Sequence, residues 1–260
     1  MRKILSIILF TFGLMLSAKA QYTTLNVHSH NDYAQKTPFY LAYNAHFGSI
    51  EADIWAVNGK LYVAHDSADI TSSRTLESLY LQPIASIFKQ NGGKAWNDNP
   101  SSFQLLIDLK TRTEPTLSLL VELLKKYPDV FDSNINKNAI PVVITGNRPA
   151  PADFSKYPLN IAFDGNVTLK YDAQQLKRIG LYSEDLKAFT RWNGKAAIPE
   201  KEEKKLKQII DSVHSLNKKI RFWDAPDSAY AWRTLMSLKV DYLNTDHIED
   251  LELYLKNYKK

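Results

Sequence analysis

Short apolar runs, most of them carrying or closing on a charged or imidazole side chain, alternate with helical stretches along nearly all of this 260-residue chain. That alternation constrains the fold more than any other feature. Strands separated by helices pair in parallel through right-handed crossovers. The spacing predicts strands at Thr24–His30, Ser49–Trp55, Ser101–Leu109, Pro141–Thr145, Leu159–Phe163, Lys219–Trp223 and Tyr242–Thr245, with a weakly patterned one near Gly180–Ser183. Between them, Pro38–Phe47, Leu76–Gln90, Thr116–Lys126 and Pro199–Asn217 read as helices, and further helices follow Asp227 and close the chain. Asn58-Gly59 marks a tight turn, so Lys60–Ala64 should return on the second strand as a hairpin. Eight strands in a chain of this length point to one (β/α)8 barrel of the TIM type. The first strand lacks the glycine-rich turn of a dinucleotide site.

The first twenty residues stand apart. Arg2 and Lys3 precede an uncharged apolar run, Ile4–Leu16, and Ala18-Lys19-Ala20 follows. This is the pattern of a signal peptide over residues 1–20, leaving a barrel domain over 21–260. Export is the expectation, to the periplasm or the medium if the source is bacterial, with no stable membrane span in the mature chain. Without that segment 30 basic residues face 28 acidic ones, and no basic cluster is interleaved with aromatics, so nucleic acid is not an expected partner. A monomer is expected. The chain has no cysteine. Any metal must therefore be held by carboxylate, imidazole, amide or water, a donor set that favours Ca²⁺ or Mg²⁺ where carboxylates dominate.

Barrels of this kind carry their chemistry at the C-terminal ends of the strands. Strand one ends in His28 and His30, followed by Asn31. Glu51 and Asp53 lie on strand two, and the hairpin return ends in His65. Asp108 and Lys110 close the next strand, Trp223 and Asp224 the seventh, Asn244 and Asp246 the eighth. Residues two apart on a strand share a face, so Glu51 and Asp53 present paired carboxylates, and Asp108 and Lys110 share another face. Such charges among Ile and Leu are costly unless paired or metal-bound. Glu51, Asp53 and Asp108 converging on one mouth call for a divalent cation, and Lys110 suits an anionic group such as phosphate.

Two enzymatic readings follow. His28-Ser29-His30 resembles the H-x-H metal pair of amidohydrolases and of the polymerase-and-histidinol-phosphatase group, but no histidine occurs between His65 and His214 to complete such a site. The run HSHNDY, SIEADIW, LYVAHD, LLIDLK, IRFWDAPD and VDYLNTD resembles the glycerophosphodiester phosphodiesterase superfamily, which takes in phospholipase C-like barrels. It is most similar to the branch of the altered inheritance of mitochondria protein six group. That resemblance implies a metal-dependent phosphoric diester hydrolase acting on a phosphodiester or phospholipid-derived small molecule. His28 and His65 would be the acid/base pair, with His30 a helper. Glu51, Asp53 and Asp108 would be the ligands of a Ca²⁺ or Mg²⁺ ion. Lys110 and Trp223 would face the substrate, and Asn31 and Asp246, at the ends of the first and eighth strands, are further candidates for substrate contact, Asn31 also reading as a turn former. The family's His-Arg-Gly is here His28-Ser29-His30, without the arginine, and Asp108 stands where glutamate is common. Those departures leave a non-catalytic barrel that binds a phosphorylated ligand as the third reading.

Overall fold

The computed structural model describes residues 22–258. The expected signal peptide lies outside the described residues. Nine strands form one sheet: β1 (Val27–Ser29), β2 (Ser49–Val57), β3 (Lys60–Val63), β4 (Gln104–Leu109), β5 (Val142–Gly146), β6 (Ile161–Gly165), β7 (Ile179–Asp185), β8 (Ile220–Trp223) and β9 (Leu243–Thr245). Eight are parallel neighbours in the order β8-β7-β6-β5-β4-β2-β1-β9. The ring closes where Arg221 on β8 bridges to Tyr242, just ahead of β9. The hairpin strand β3 runs antiparallel on β2 outside the ring, with Asn58 and Gly59 both at positive φ in its turn. The (β/α)8 barrel expected from the alternation is the fold observed.

Local chemistry accounts for most element ends. Thr23 caps the short 3-10 turn Thr24–Asn26, which shortens the first strand from its expected start to Val27. Phe39 sits at positive φ, so the first helix starts at Tyr40 rather than Pro38. Ser228 caps Ala229–Ser237 through its side chain. The helix Glu200–Ser215 has three acidic residues in its first turn and buries Leu206, Ile210 and Val213 along one stripe. Strand β7 is longer than its apolar content suggests, because Gly180 interrupts the pattern. A Cβ there would stand 2.8 Å from a methyl of Val143, on β5 one strand beyond the neighbouring β6, so the close side-chain packing at this point favours glycine.

Register positions the site. Asp53 on β2 pairs with Asp108 on β4, and Asp108 with Thr145 on β5. Two residues below these, Leu106 and Val143 share their inward face. With Leu181 and Tyr242 they form a small buried cluster that plugs the barrel beneath its polar mouth. The larger apolar core lies between the strands and the surrounding helices.

Candidate active site

Three carboxylates from two adjacent strands meet at the C-terminal mouth. Glu51, Asp53 and Asp108 each offer an oxygen, and those oxygens lie within 4.8 Å of one another. Lys110 places its Nζ 2.9 Å from Asp53 Oδ2 and 2.8 Å from Asp108 Oδ2. Gly146 at the end of β5 makes room for this packing, since a Cβ there would fall 1.8 Å from Asp108 Oδ1. Burial, then the charge on Glu51, pushes Asp53 up to about 6 even though Lys110 opposes the rise. The cluster thus holds more negative charge than one ammonium balances. Its all-oxygen donor set fits a hard divalent cation.

The three histidines of the motifs occupy different depths. His28 is fully enclosed, with Nδ1 2.7 Å from Ser49 Oγ and Nε2 3.1 Å from Glu51 Oε2. Burial, then the nearby Arg221, lowers its pKa to about 3, so the ring stays neutral. His30, two residues on, is 29 % exposed at the side chain. Its Nδ1 is 2.9 Å from Asp246 Oδ1 and its Nε2 3.9 Å from Glu51 Oε2. Burial works against the charged ring, but the Asp246 hydrogen bond and the Glu51 charge outweigh it and raise its pKa. His65 is 61 % exposed and lies 3.4 Å from Asp53 Oδ2 through Nδ1. Both ring nitrogens of His28 are engaged with side chains, so the H-x-H metal pair finds no support. Among the described residues, the one group of three or more metal-ligating side chains is the carboxylate cluster.

The remaining sequence candidates also reach the mouth. Asn31, in the left-handed region, donates from Nδ2 to Asp246 Oδ1 at 3.2 Å. Trp223 ends β8 with 41 % exposure, on the same face as Arg221 two residues below.

Several residues of the site were not singled out by the motifs. Arg221 enters the barrel from β8, donating to Ser183 Oγ at 2.7 Å and Asn244 Oδ1 at 2.9 Å, with Glu51 Oε1 at 3.5 Å. An arginine is therefore present beside the carboxylate cluster, but it comes from β8, far along the chain, and is buried. It holds Glu51 well below the usual carboxylate range against the cost of burial. Tyr33 directs its hydroxyl at Asp53 Oδ2, 2.7 Å away. Asp164 on β6 is buried, accepts from Thr145 Oγ1 at 2.9 Å, and leaves Oδ1 without a partner among the described residues. Burial pushes its pKa up to about 6. The sequence signal for Arg221 is a charge inside the strand IRFW, two residues before Trp223.

Two cavities flank the mouth. The larger, about 840 Å³, lies between the loops after β4 and β5, lined by Arg112, Arg148 and Tyr157 among others. A second, about 500 Å³, sits on the rim between Trp192-Asn193 and Asp224–Pro226. Neither is lined by Glu51, Asp53 or Asp108, so cavity size alone does not mark the reactive centre. No helix of the described residues is long and apolar enough to cross a membrane.

Comparison with known proteins agrees with this geometry. A family model described as AIM6-like phosphodiesterase domain matches residues 17–156, and one for the glycerophosphoryl diester phosphodiesterase family matches residues 219–249. The altered inheritance of mitochondria protein 6 homolog of Arthroderma benhamiae is 26 % identical over 260 residues, covering 88 % of this chain and 83 % of that protein. Altered inheritance of mitochondria protein 6 of Saccharomyces cerevisiae is 29 % identical over 269 residues, covering 85 % and 68 %. A crystal structure of a glycerophosphodiester phosphodiesterase from Parabacteroides distasonis superposes with a TM-score of 0.51 at 12 % identity, covering 88 % of this chain and 95 % of that one. One from Thermotoga maritima gives 0.50 at 15 % identity, covering 92 % and 100 %. These structures share the barrel fold. The relatives overturn one expectation. They are fungal proteins named for the inheritance of mitochondria, not bacterial ones, which overturns the expectation of a periplasmic or secreted protein.

Proposed function

The chain belongs to the AIM6-like phosphodiesterase domain family, and from that premise we propose that it hydrolyses a phosphoric diester, of the glycerophosphodiester or phospholipase C-like class, at the mouth of its barrel. The observation that carries this reading is the meeting of Glu51, Asp53 and Asp108 between two solvent-accessible imidazoles, His30 and His65. The three carboxylates would hold a divalent cation, Ca²⁺ or Mg²⁺ by their hardness. When bound, such a cation supplies Lewis-acid polarisation and balances the charge of the cluster.

The chain's own groups do the rest. Lys110 presents an ammonium to the non-bridging phosphate oxygens, where negative charge builds during displacement. One imidazole takes the proton of the attacking hydroxyl and the other returns one to the leaving alkoxide. His30 suits the donor role, because Asp246 stabilises its imidazolium. His65, exposed at the opposite side of the cluster, suits the base. His28 is enclosed beneath them, and its role in this scheme is to fix Glu51 through Nε2 rather than to meet substrate. Asn31 and Trp223 border the space a substrate would fill.

Hydrolysis of bis(p-nitrophenyl) phosphate tests the reading. Release of p-nitrophenolate with Mg²⁺, Ca²⁺ or Mn²⁺, its loss in EDTA, and a fall of about 10²–10⁴-fold in His65→Ala or His30→Ala are expected. Folded protein without turnover in any of the three metals would refute it and favour a phospho-ligand-binding barrel.

A further inference from the structure

The turn after β1 is clamped more tightly than its length requires. Asp32 is buried and accepts from the Phe39 amide at 2.5 Å, from Tyr80 Oη at 2.9 Å and from Ser29 Oγ at 2.9 Å. Arg74 donates to the Tyr33 carbonyl oxygen. These contacts fix the backbone on both sides of Tyr33 and leave its hydroxyl in one place. There it lies 2.6 Å from Asn31 Oδ1, 2.7 Å from Asp53 Oδ2 and 3.1 Å from His65 Nδ1.

Donor and acceptor arithmetic then decides a tautomer. A phenol has one proton to give, while an amide oxygen and a carboxylate oxygen only accept. The amide of Asn31 is oriented by its Nδ2, which donates to Asp246 Oδ1 at 3.2 Å and so turns Oδ1 toward the phenol. The Tyr33 proton therefore goes to Asn31 or Asp53, and the phenolic oxygen meets the imidazole with a lone pair. His65 Nδ1 has to be the donor in that contact. Asp53 Oδ2, at 3.4 Å from the same nitrogen, is a second acceptor for the same proton. Nε2 is left with its lone pair, on a ring that is mostly exposed to the mouth.

We infer that Tyr33 is a positioning residue that holds His65 as the Nδ1–H tautomer, making Nε2 the nitrogen that takes up the substrate or water proton. The inference rests on the reading that His65 moves a proton in the reaction. It also gives the sequence HSHNDY a division of labour. Ser29 and Asp32 anchor the turn, Asn31 orients the phenol, and Tyr33 orients the second catalytic imidazole from a strand away.

The test is ¹⁵N-histidine labelling of the full protein and long-range ¹H–¹⁵N correlation of the imidazoles, with His65→Asn to assign the signals. The wild-type protein, with and without Mg²⁺, should show His65 with a protonated Nδ1 and an unprotonated Nε2. Tyr33→Phe keeps the buried ring and removes only the hydroxyl, and it should shift His65 toward the Nε2–H form. In the same variant kcat on bis(p-nitrophenyl) phosphate should fall about 10–100-fold with KM within about twofold of wild type, the size expected for removing a partner that orients a reacting group. A wild-type His65 protonated on Nε2, or a Tyr33→Phe tautomer unchanged from wild type, would overturn the inference. The wild-type spectrum decides even if the variant fails to fold. Absence of wild-type turnover would count against the diester reading and leave the tautomer result to judge Tyr33 separately.

Discussion

Replacing Arg221 by methionine should expose how the barrel tolerates a charged interior. The guanidinium is buried and has three partners, Ser183, Asn244 and Glu51. Methionine fills much of the same volume without charge, so the loss is electrostatic rather than a cavity. Glu51 would keep His28 and His30 as neighbours, but burial disfavours a charge on His28, and His30, 3.9 Å away and shared with Asp246, offsets only part of the lost cation. Removing one partner of a buried ion pair typically costs about 3–5 kcal/mol, because the other charge stays behind uncompensated. The Arg221–Glu51 contact is long, 3.5 Å, which argues for the lower end of that range. About 3 kcal/mol in a domain of this size corresponds to roughly 6–12 °C in Tm. Urea denaturation of the metal-free protein, followed by circular dichroism, measures it. Glu51→Gln added to Arg221→Met should recover at least half the loss, since the stranded charge is then gone. A single variant within about 1 kcal/mol of wild type, or a double variant no more stable than the single, would refute the reasoning.

Other outcomes follow from the same geometry. Asp164 has its folded pKa raised to about 6 by burial, so the native state holds more protons than the unfolded chain between about pH 4 and 6, and stability falls as pH rises through that window. Asp164→Asn should flatten that slope and be more stable than wild type above pH 7, by up to about 3 kcal/mol, with the advantage gone near pH 4; thermal melts across the range measure it. Arg178 donates to the carbonyls of Phe154, Tyr157, Pro158 and Ile161, and Arg178→Ala should cost about 2–4 kcal/mol in urea titration, with lysine unable to restore the fork of contacts. Gly146→Ala places a methyl on Asp108 Oδ1 at a positive φ of 67°, and it should weaken divalent-metal binding at least tenfold by calorimetric titration while the circular dichroism spectrum stays that of the barrel.

The parallel barrel and the face-sharing carboxylates were legible from the sequence because both follow from short-range periodicity. Glu51 and Asp53 are two apart on one strand, and the strand-ending position of Asp108 sufficed to bring it to the same mouth. Depth was not legible. His28 and His30 also share a face, and only the pairing of His28 with Ser49 and Asn244 on its neighbours shows that one is enclosed and the other open. Arg221 is not legible locally for the same reason. Its partners Ser183, Asn244 and Glu51 come from three other strands, and no local pattern connects them. Tyr33 lies within the HSHNDY motif, yet nothing local marks it, because its partner His65 is 32 residues away.

Calorimetric titration of the metal-free protein with Mg²⁺, Ca²⁺ and Mn²⁺ tests the central claim most directly, alongside the Glu51→Gln/Asp108→Asn double variant. The account predicts one divalent ion per wild-type chain and at least a hundredfold weaker binding in the folded variant. A wild-type protein that binds none of the three ions, or a variant that binds as tightly as wild type, would contradict it.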